Sequence, residues 1–353
     1  MSKVRTSLLV ITFLLSAASH YLHFDPLVQF VLSAIAVVFV AGFLGKATEH
    51  VAHYAGERLG GFLNATFGNA AELIIAIFLV KEGLYDMVKA SLTGSIIGNL
   101  LLVLGLSIFL GGTKFKIQNF NQSLAGMNGS LMIVAVIALF VPAVFFNTHT
   151  ITVPQTQTLS LIVAGILIVA YIAWIIFSMV THKDILADNV AANEGEAHEQ
   201  PVWSKKKSIT YLILATVMVA FVSEWLVGTL ETLTVRFGLS EIFVGAFLVA
   251  IVGNAAEHSA AVLLAMKNKM GAAVEIAVGS SLQIALFVAP VLVFTSFFFG
   301  NTMDIVFTTI ELVAIGVAVF IAKSIIQDGS TNWYEGLLLM AVYAILGVSF
   351  FLI

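Results

Sequence analysis

A chain of 353 residues that is 60% hydrophobic and only 10% charged, with a mean hydropathy of +1.04, lies outside the range of soluble domains, in which about a quarter of residues carry charge. It reads as a polytopic membrane protein whose first partner is the lipid bilayer, and its net charge of -4 includes no basic tail or patch to hold a phosphate backbone, which sets aside nucleic acids. The absence of cysteine excludes disulfides, thiolate chemistry and the usual zinc and iron–sulfur sites, and argues against a redox role.

About 20 apolar residues cross the hydrocarbon core. The first apolar stretch, near 6–22, follows Lys3 and Arg5 and ends in "SAASH", small residues that also suit a signal-peptide cleavage site. Because the rest of the chain is itself a series of spans, a retained N-terminal transmembrane helix within residues 1–25 is expected. Helices then follow near 26–46, 60–80, 88–110, 124–146 and 158–180. The longest polar segment, 181–207, reads as a solvated acidic linker, with Glu194, Glu196 and Glu199 as alternative cation collectors. Beyond it, helices near 208–230, 239–265, 271–299, 304–323 and 333–352 bring the predicted total to eleven.

Charge supplies an orientation. With the N-terminus in the cytoplasm, thirteen cations face inward: Lys3, Arg5, Lys46, Arg58, Lys114, Lys116, Lys183, Lys205, Lys206, Lys207, Lys267, Lys269 and Lys323. Only Lys81, Lys89 and Arg236 fall outside. This positive-inside bias supports the N-in, C-out arrangement with a cytoplasmic linker.

The sequence also repeats. "GNAAE" occurs at Gly68–Glu72 and again at Gly253–Glu257, an offset of 185 positions. The same offset carries Gly94-Ser95 onto Gly279-Ser280, whereas Thr48-Glu49 matches Ser223-Glu224 only with an offset of 175. Residues 26–180 and 208–353 each hold five predicted spans, an odd number, so the second set enters the membrane in the opposite sense. The expected fold is therefore an all-α polytopic membrane protein of eleven helices, one N-terminal helix plus two inverted five-helix repeats. Transporters of this design place their substrate near the midplane between the repeats.

Glu72 and Glu257 stand in long apolar helices, where a lone ionised carboxylate carries a heavy desolvation cost. Two such groups repel as anions, a cost that either protons or a divalent cation relieves, so one site can hold metal or protons in turn. Asn69 and Asn254, each three positions before its glutamate, share nearly the same helical face. Gly68 and Gly253 are expected to expose carbonyls or to break the helix locally. Ser95, Asn99, Ser280 and Gln283 add oxygens from the facing helices, although interhelical packing and hydrogen bonding account for such residues equally well. An oxygen-rich pocket poor in nitrogen and sulfur points to calcium over zinc or copper.

Secondary candidates are Glu49 and Glu224, either on a cation or proton entry route or simply facing water. His258, beside Glu257, is either a proton relay or a structural histidine, and Leu73 occupies the matching place in the first repeat. Glu275 and Glu311 also lie in apolar stretches. His50, His53 and Glu57 have superficially metal-like spacing, but no third-ligand motif accompanies them, and a structural or gating role is expected.

Two GNAAE motifs in inverted halves, the glycine–serine helices with Asn99 and Gln283, the linker position and "FVSEWLVGTLE" together resemble the calcium/proton exchangers of the calcium/cation antiporter superfamily. The related sodium/calcium exchangers have proline before the motif glutamate, where this chain has Ala71 and Ala256, which favours the proton-coupled branch. The resemblance implies electrochemically driven calcium extrusion. Glu72 and Glu257 would be the central ligands and proton carriers, supported by Asn69, Asn254, Ser95, Ser280, Gln283 and carbonyls near Gly68 and Gly253. Glu49 and Glu224 would be accessory, with His258 a neighbour of the second glutamate. No cofactor is expected to be permanently bound; calcium and protons are the cargo, and a homo-oligomer is compatible with the chain. The family's acidic inter-repeat helix is short here, and the long N-terminal tail of some plant relatives is missing, which together suggest a prokaryotic cell-membrane protein. The rival readings are a sodium-coupled or broader divalent-cation exchanger and, from another class, a cation channel.

Overall fold

The computed structural model describes residues 3–55, 60, 63, 66–182, 203–300 and 302–353. Among them, ten helices are long and apolar enough to cross a membrane, and a shorter one carries Glu72. In chain order they are α1 Lys3–Tyr21, α2 Pro26–Ala55, α3 Ala70–Lys81, α4 Tyr85–Phe115, α5 Gln122–Asn147, α6 Val153–Thr181, α7 Lys205–Phe237, α8 Glu241–Ala265, α9 Met270–Phe297, α10 Thr309–Ile326 and α11 Trp333–Phe351. This is the expected all-α polytopic fold, with α3 supplying the later part of the predicted span 60–80.

Boundaries move in α2, α7 and α10 for physical reasons. Helix α2 runs past residue 46 to Ala55, because the polar residues that mark the end of the hydrocarbon do not end a helix whose backbone bonds are satisfied internally. Helix α7 begins at Lys205, inside the predicted linker, and continues to Phe237, where Gly238 caps it at φ 63° in the left-handed region. Helix α10 starts at Thr309 rather than 304, because Thr308 and Glu311 form a reciprocal capping box. Residues 302–308 run outside regular structure, and Ile305 N–H donates to Ser160 Oγ at 3.1 Å. Glu194, Glu196 and Glu199 lie outside the described residues.

Helix contacts repeat between the two halves. Helix α11 packs on the second part of α4 as α6 packs on the second part of α9, α5 lies against α10, and α2 and α7 share the most extensive contact of any helix pair. A short antiparallel ribbon, β1 Ile117–Asn119 with β2 Ser330–Asn332, joins the halves at one end. At another, Arg236 Nη1 donates to Asp25 Oδ2 at 2.6 Å and Oδ1 at 2.9 Å, tying the α1–α2 turn to the end of α7. These bonds from the guanidinium, with a backbone bond from Leu27, hold the Asp25 carboxyl below its ordinary range.

The outward faces are apolar: Val169, Phe320 and Ile345 are exposed, as a lipid-facing surface requires. Polar side chains gather inside instead, with Asn69, Glu72, Ser95, Asn99, Asn254 and Ser280 all buried. Both glycine–serine helices carry a wider π turn just beyond that pair, Gly98–Val103 in α4 and Ile284–Val288 in α9, a device common at functional sites.

Candidate cation-binding site

Helix α3 starts directly after a turn at Gly68-Asn69. Asn69 occupies the N-cap position but makes no side-chain cap bond. Its amide is spent across the repeat: Oδ1 accepts from Ser280 Oγ at 2.6 Å, and Nδ2 donates to Gln283 Oε1 at 2.5 Å. Glu72 follows in the first helical turn, where the aligned peptide dipoles favour an anion.

The second motif makes the mirrored connection from a different setting. Asn254 lies inside α8 and donates through Nδ2 to Ser95 Oγ at 2.9 Å and to the Ala250 carbonyl at 2.8 Å. Its Oδ1 accepts from Asn99 Nδ2 at 3.5 Å. Asn99 Oδ1 then lies 3.1 Å from His258 Nε2, so with this amide orientation His258 donates from Nε2. Gln283 stands one register position before the counterpart of Asn99, and its extra methylene gives the same kind of reach from there.

Glu72 and Glu257 lie between these networks, where Gly253, one turn before Glu257 in α8, abuts the Glu72 side chain. Both carboxylate oxygens of Glu72 and Oε2 of Glu257 are buried with no hydrogen-bond partner among the described residues, while Ser280 lies in hydrogen-bonding reach of Glu257. Buried acceptors of this kind are seldom left unsatisfied, because each costs about 1–3 kcal/mol and more when charged. Gly253 sets the spacing: a Cβ there would lie 3.2 Å from Glu72 Cγ. It sits within an uninterrupted part of α8, so of the two alternatives at this glycine the helix break is corrected to a close approach, and Gly68 alone of the two lies at a turn.

One positioning residue was not singled out by its chemistry. Gly94 brings α4 against a π turn of α8, Val244–Val249, where an added Cβ would collide with the Ala246 carbonyl oxygen. Its signal in the sequence was the repeated glycine–serine pair.

The remaining candidates lie elsewhere. Glu49 and Glu275 are exposed on α2 and α9. Glu224 is exposed on α7 and pairs with Lys81 at 3.1 Å. Glu311 is buried, but its Oε2 accepts from Thr308 N–H and Oγ1 at 2.8 Å each, so its apolar setting is explained by capping. His50 stacks on Trp203 with ring centroids 4.1 Å apart, His53 is exposed, and Glu57 lies outside the described residues. Among the described residues no three His, Asp or Glu side chains gather as metal ligands. A cation between Glu72 and Glu257 would therefore complete its shell with amide, hydroxyl, backbone or water oxygens, the donor set of a hard ion such as calcium.

Comparison with known proteins gives a consistent result. The sodium/calcium exchanger protein family matches residues 26–180 and 207–352. The Ca(2+)/H(+) antiporter ChaA of Bacillus subtilis is 48% identical over 339 residues, covering 96% of each chain. The Ca(2+)/H(+) antiporter of Synechocystis is 46% identical, covering 96% of this chain and 94% of that protein. The solved structure of native YfkE superposes with a TM-score of 0.85 at 43% identity, covering 99% of this chain and all of the other.

Proposed function

The chain belongs to the sodium/calcium exchanger protein family, and we propose that its calcium/proton antiport is carried by Glu72 and Glu257 as one shared site. It is a secondary transporter working by alternating access, not an enzyme. The observation that carries the site assignment is a set of three buried carboxylate oxygens at the junction of the two repeats, both of Glu72 and Oε2 of Glu257, with no hydrogen-bond partner among the described residues.

Charge balance then gives a cycle. A calcium ion between two carboxylates is neutral, and so is the same pair carrying two protons; both loaded forms are tolerable in a buried site, and the empty dianion is not. Calcium entering from the cytoplasm displaces the protons, the α2–α7 pair shifts, and external protons release the ion on the far side. Asn69, Asn254, Ser95, Ser280, Asn99 and Gln283 hold the carboxylates in place or lend oxygens, and His258 orients Asn99. Carbonyls near Gly68 and Gly253 complete the proposed donor set, while Glu49 and Glu224, exposed on α2 and α7, stand outside it. The bias of thirteen cations against three supports a cytoplasmic N-terminus and external C-terminus, and the likeness to antiporters of Bacillus subtilis and Synechocystis supports a prokaryotic cell membrane.

The test is calcium flux in sealed vesicles under separately imposed pH and sodium gradients, with Glu72→Gln and Glu257→Gln alongside. A pH gradient should drive calcium, a sodium gradient at equal pH should not, and both variants should be inactive. Flux that follows sodium, current without proton countertransport, or normal transport by either variant would overturn the assignment.

A further inference from the structure

Alternating access, on which this inference rests, requires that each face close while the other opens. The structure carries an asymmetry between its two faces that bears on how they close. An offset of 175 relates α2 to α7: it carries Val40, Leu44, Ala47, Thr48 and Ala52 onto Ala215, Val219, Val222, Ser223 and Val227, and all of these are buried. Glu49 and Glu224 are thus equivalent positions on equivalent helices, and both are exposed.

Their surroundings are not equivalent. Glu224 is paired at 3.1 Å with Lys81, the last residue of α3, the helix that carries Glu72. The offset of 185 that relates α3 to α8 carries Lys81 onto Met266, and Lys267 follows immediately at the end of the helix that carries Glu257. Lys267 and Glu49 are both exposed, and neither has an ion-pair partner among the described residues. One face therefore shows an ion pair between a helix of the α2–α7 pair and a site helix, while the other holds the same two charge types apart.

We propose that Lys81–Glu224 and Lys267–Glu49 are alternate latches at the two faces, the first closed and the second open in this conformation, and that transport exchanges them. The pairing that closes a face is made from a helix of the α2–α7 pair to the end of a glutamate-bearing helix, so it fixes the position of the moving layer without touching the cargo. Its strength suits the task. The Lys81 and Glu224 side chains are 45% and 47% exposed, and an exposed pair biases an equilibrium by about two- to fivefold. That is enough to favour one state and weak enough to release in every cycle.

The chain contains no cysteine, which makes the test direct. Because a lysine–glutamate pair spans more than a disulfide reaches, the double variants Lys81→Cys/Glu224→Cys and Glu49→Cys/Lys267→Cys are treated in vesicles with a short, reducible bis-thiol crosslinker. Both pairs should crosslink, each should cut calcium flux at least tenfold, and reduction should restore it. Adding Lys81→Gln to the Glu49→Cys/Lys267→Cys variant should raise its crosslinking rate two- to fivefold. Adding Lys81→Glu together with Glu224→Lys should return that rate to its starting value. Full flux after complete crosslinking of positions 81 and 224, failure of positions 49 and 267 to crosslink, or a rate indifferent to Lys81 would overturn the latch. Crosslinking rates need no gradient, so these failures are distinct from failure of the antiport reading, which would appear as absent pH-driven flux in the unmodified chain.

Discussion

The two copies of GNAAE share five letters, yet one opens a helix and the other sits inside one. Asn69 and Glu72 belong to the N-cap and first turn of α3, whereas Asn254 and Glu257 lie within α8. Each asparagine nonetheless reaches a serine of the opposite repeat, Ser280 or Ser95. The lesson is that the repeat conserves crossed connections while leaving local backbone free to differ. Beyond those connections the halves diverge: Glu72 has two oxygens without a partner among the described residues, while Ser280 stands beside Glu257 and His258 holds Asn99.

The largest effect should come from removing either carboxylate. Glu72→Gln or Glu257→Gln leaves one negative charge to face a divalent ion, a loss of about 3–5 kcal/mol, or on the order of 10²–10⁴-fold in calcium affinity. Calorimetric titration of calcium at fixed pH would measure it. In the unmodified protein, affinity should fall as pH is lowered, by about 100-fold per unit where two protons must be displaced. Either variant should halve that logarithmic slope. A full slope in Glu72→Gln would break the equivalence of the two halves and assign proton coupling to Glu257 with another group.

Backbone approach comes next. Gly94→Ala would drive a Cβ into the Ala246 carbonyl oxygen, and helix backbones cannot both stay in place. A loss of about 1–3 kcal/mol in stability is expected, read as a lowered melting temperature in detergent. Gly253→Ala meets a side chain at 3.2 Å instead, and that side chain belongs to Glu72, a proposed ligand. The expected signature is therefore about a tenfold loss of calcium affinity with little change in melting temperature. If Gly253→Ala lowers stability and spares affinity, the glycine serves packing alone.

Much of this site was legible beforehand because its signals are local and repeated. Carboxylates in apolar runs are costly wherever they fall, and an offset shared by Glu72/Glu257 and Ser95/Ser280 announces that two distant segments meet. What the sequence left open depends on where backbones end and touch. Glu311 carries the same local signal as Glu72, a carboxylate in an apolar stretch, and only the start of α10 at Thr309 reveals it as a cap. Gly253 reads from the sequence as either an exposed carbonyl or a helix break, because composition cannot separate flexibility from close approach. Glu49 and Glu224 were matched across an awkward offset, and the burial pattern of α2 and α7 explains the offset as a difference in length between the segments joining them to the motifs.

The smallest expected effect tests the one letter that differs after the two glutamates. His258→Leu would give the second repeat the residue that Leu73 provides in the first, and would remove the 3.1 Å contact to Asn99. If His258 only orients that amide, the loss is that of one hydrogen bond, about 0.5–1.5 kcal/mol, or two- to tenfold in calcium affinity. The pH slope of calcium binding should then be unchanged, because in the proposed cycle the two protons exchanged for calcium reside on the glutamates. His258→Gln, which keeps a donor near Asn99, should recover most of the affinity. A lowered slope in both variants would instead make the imidazole a proton carrier, and the two motifs would differ in chemistry as well as in setting.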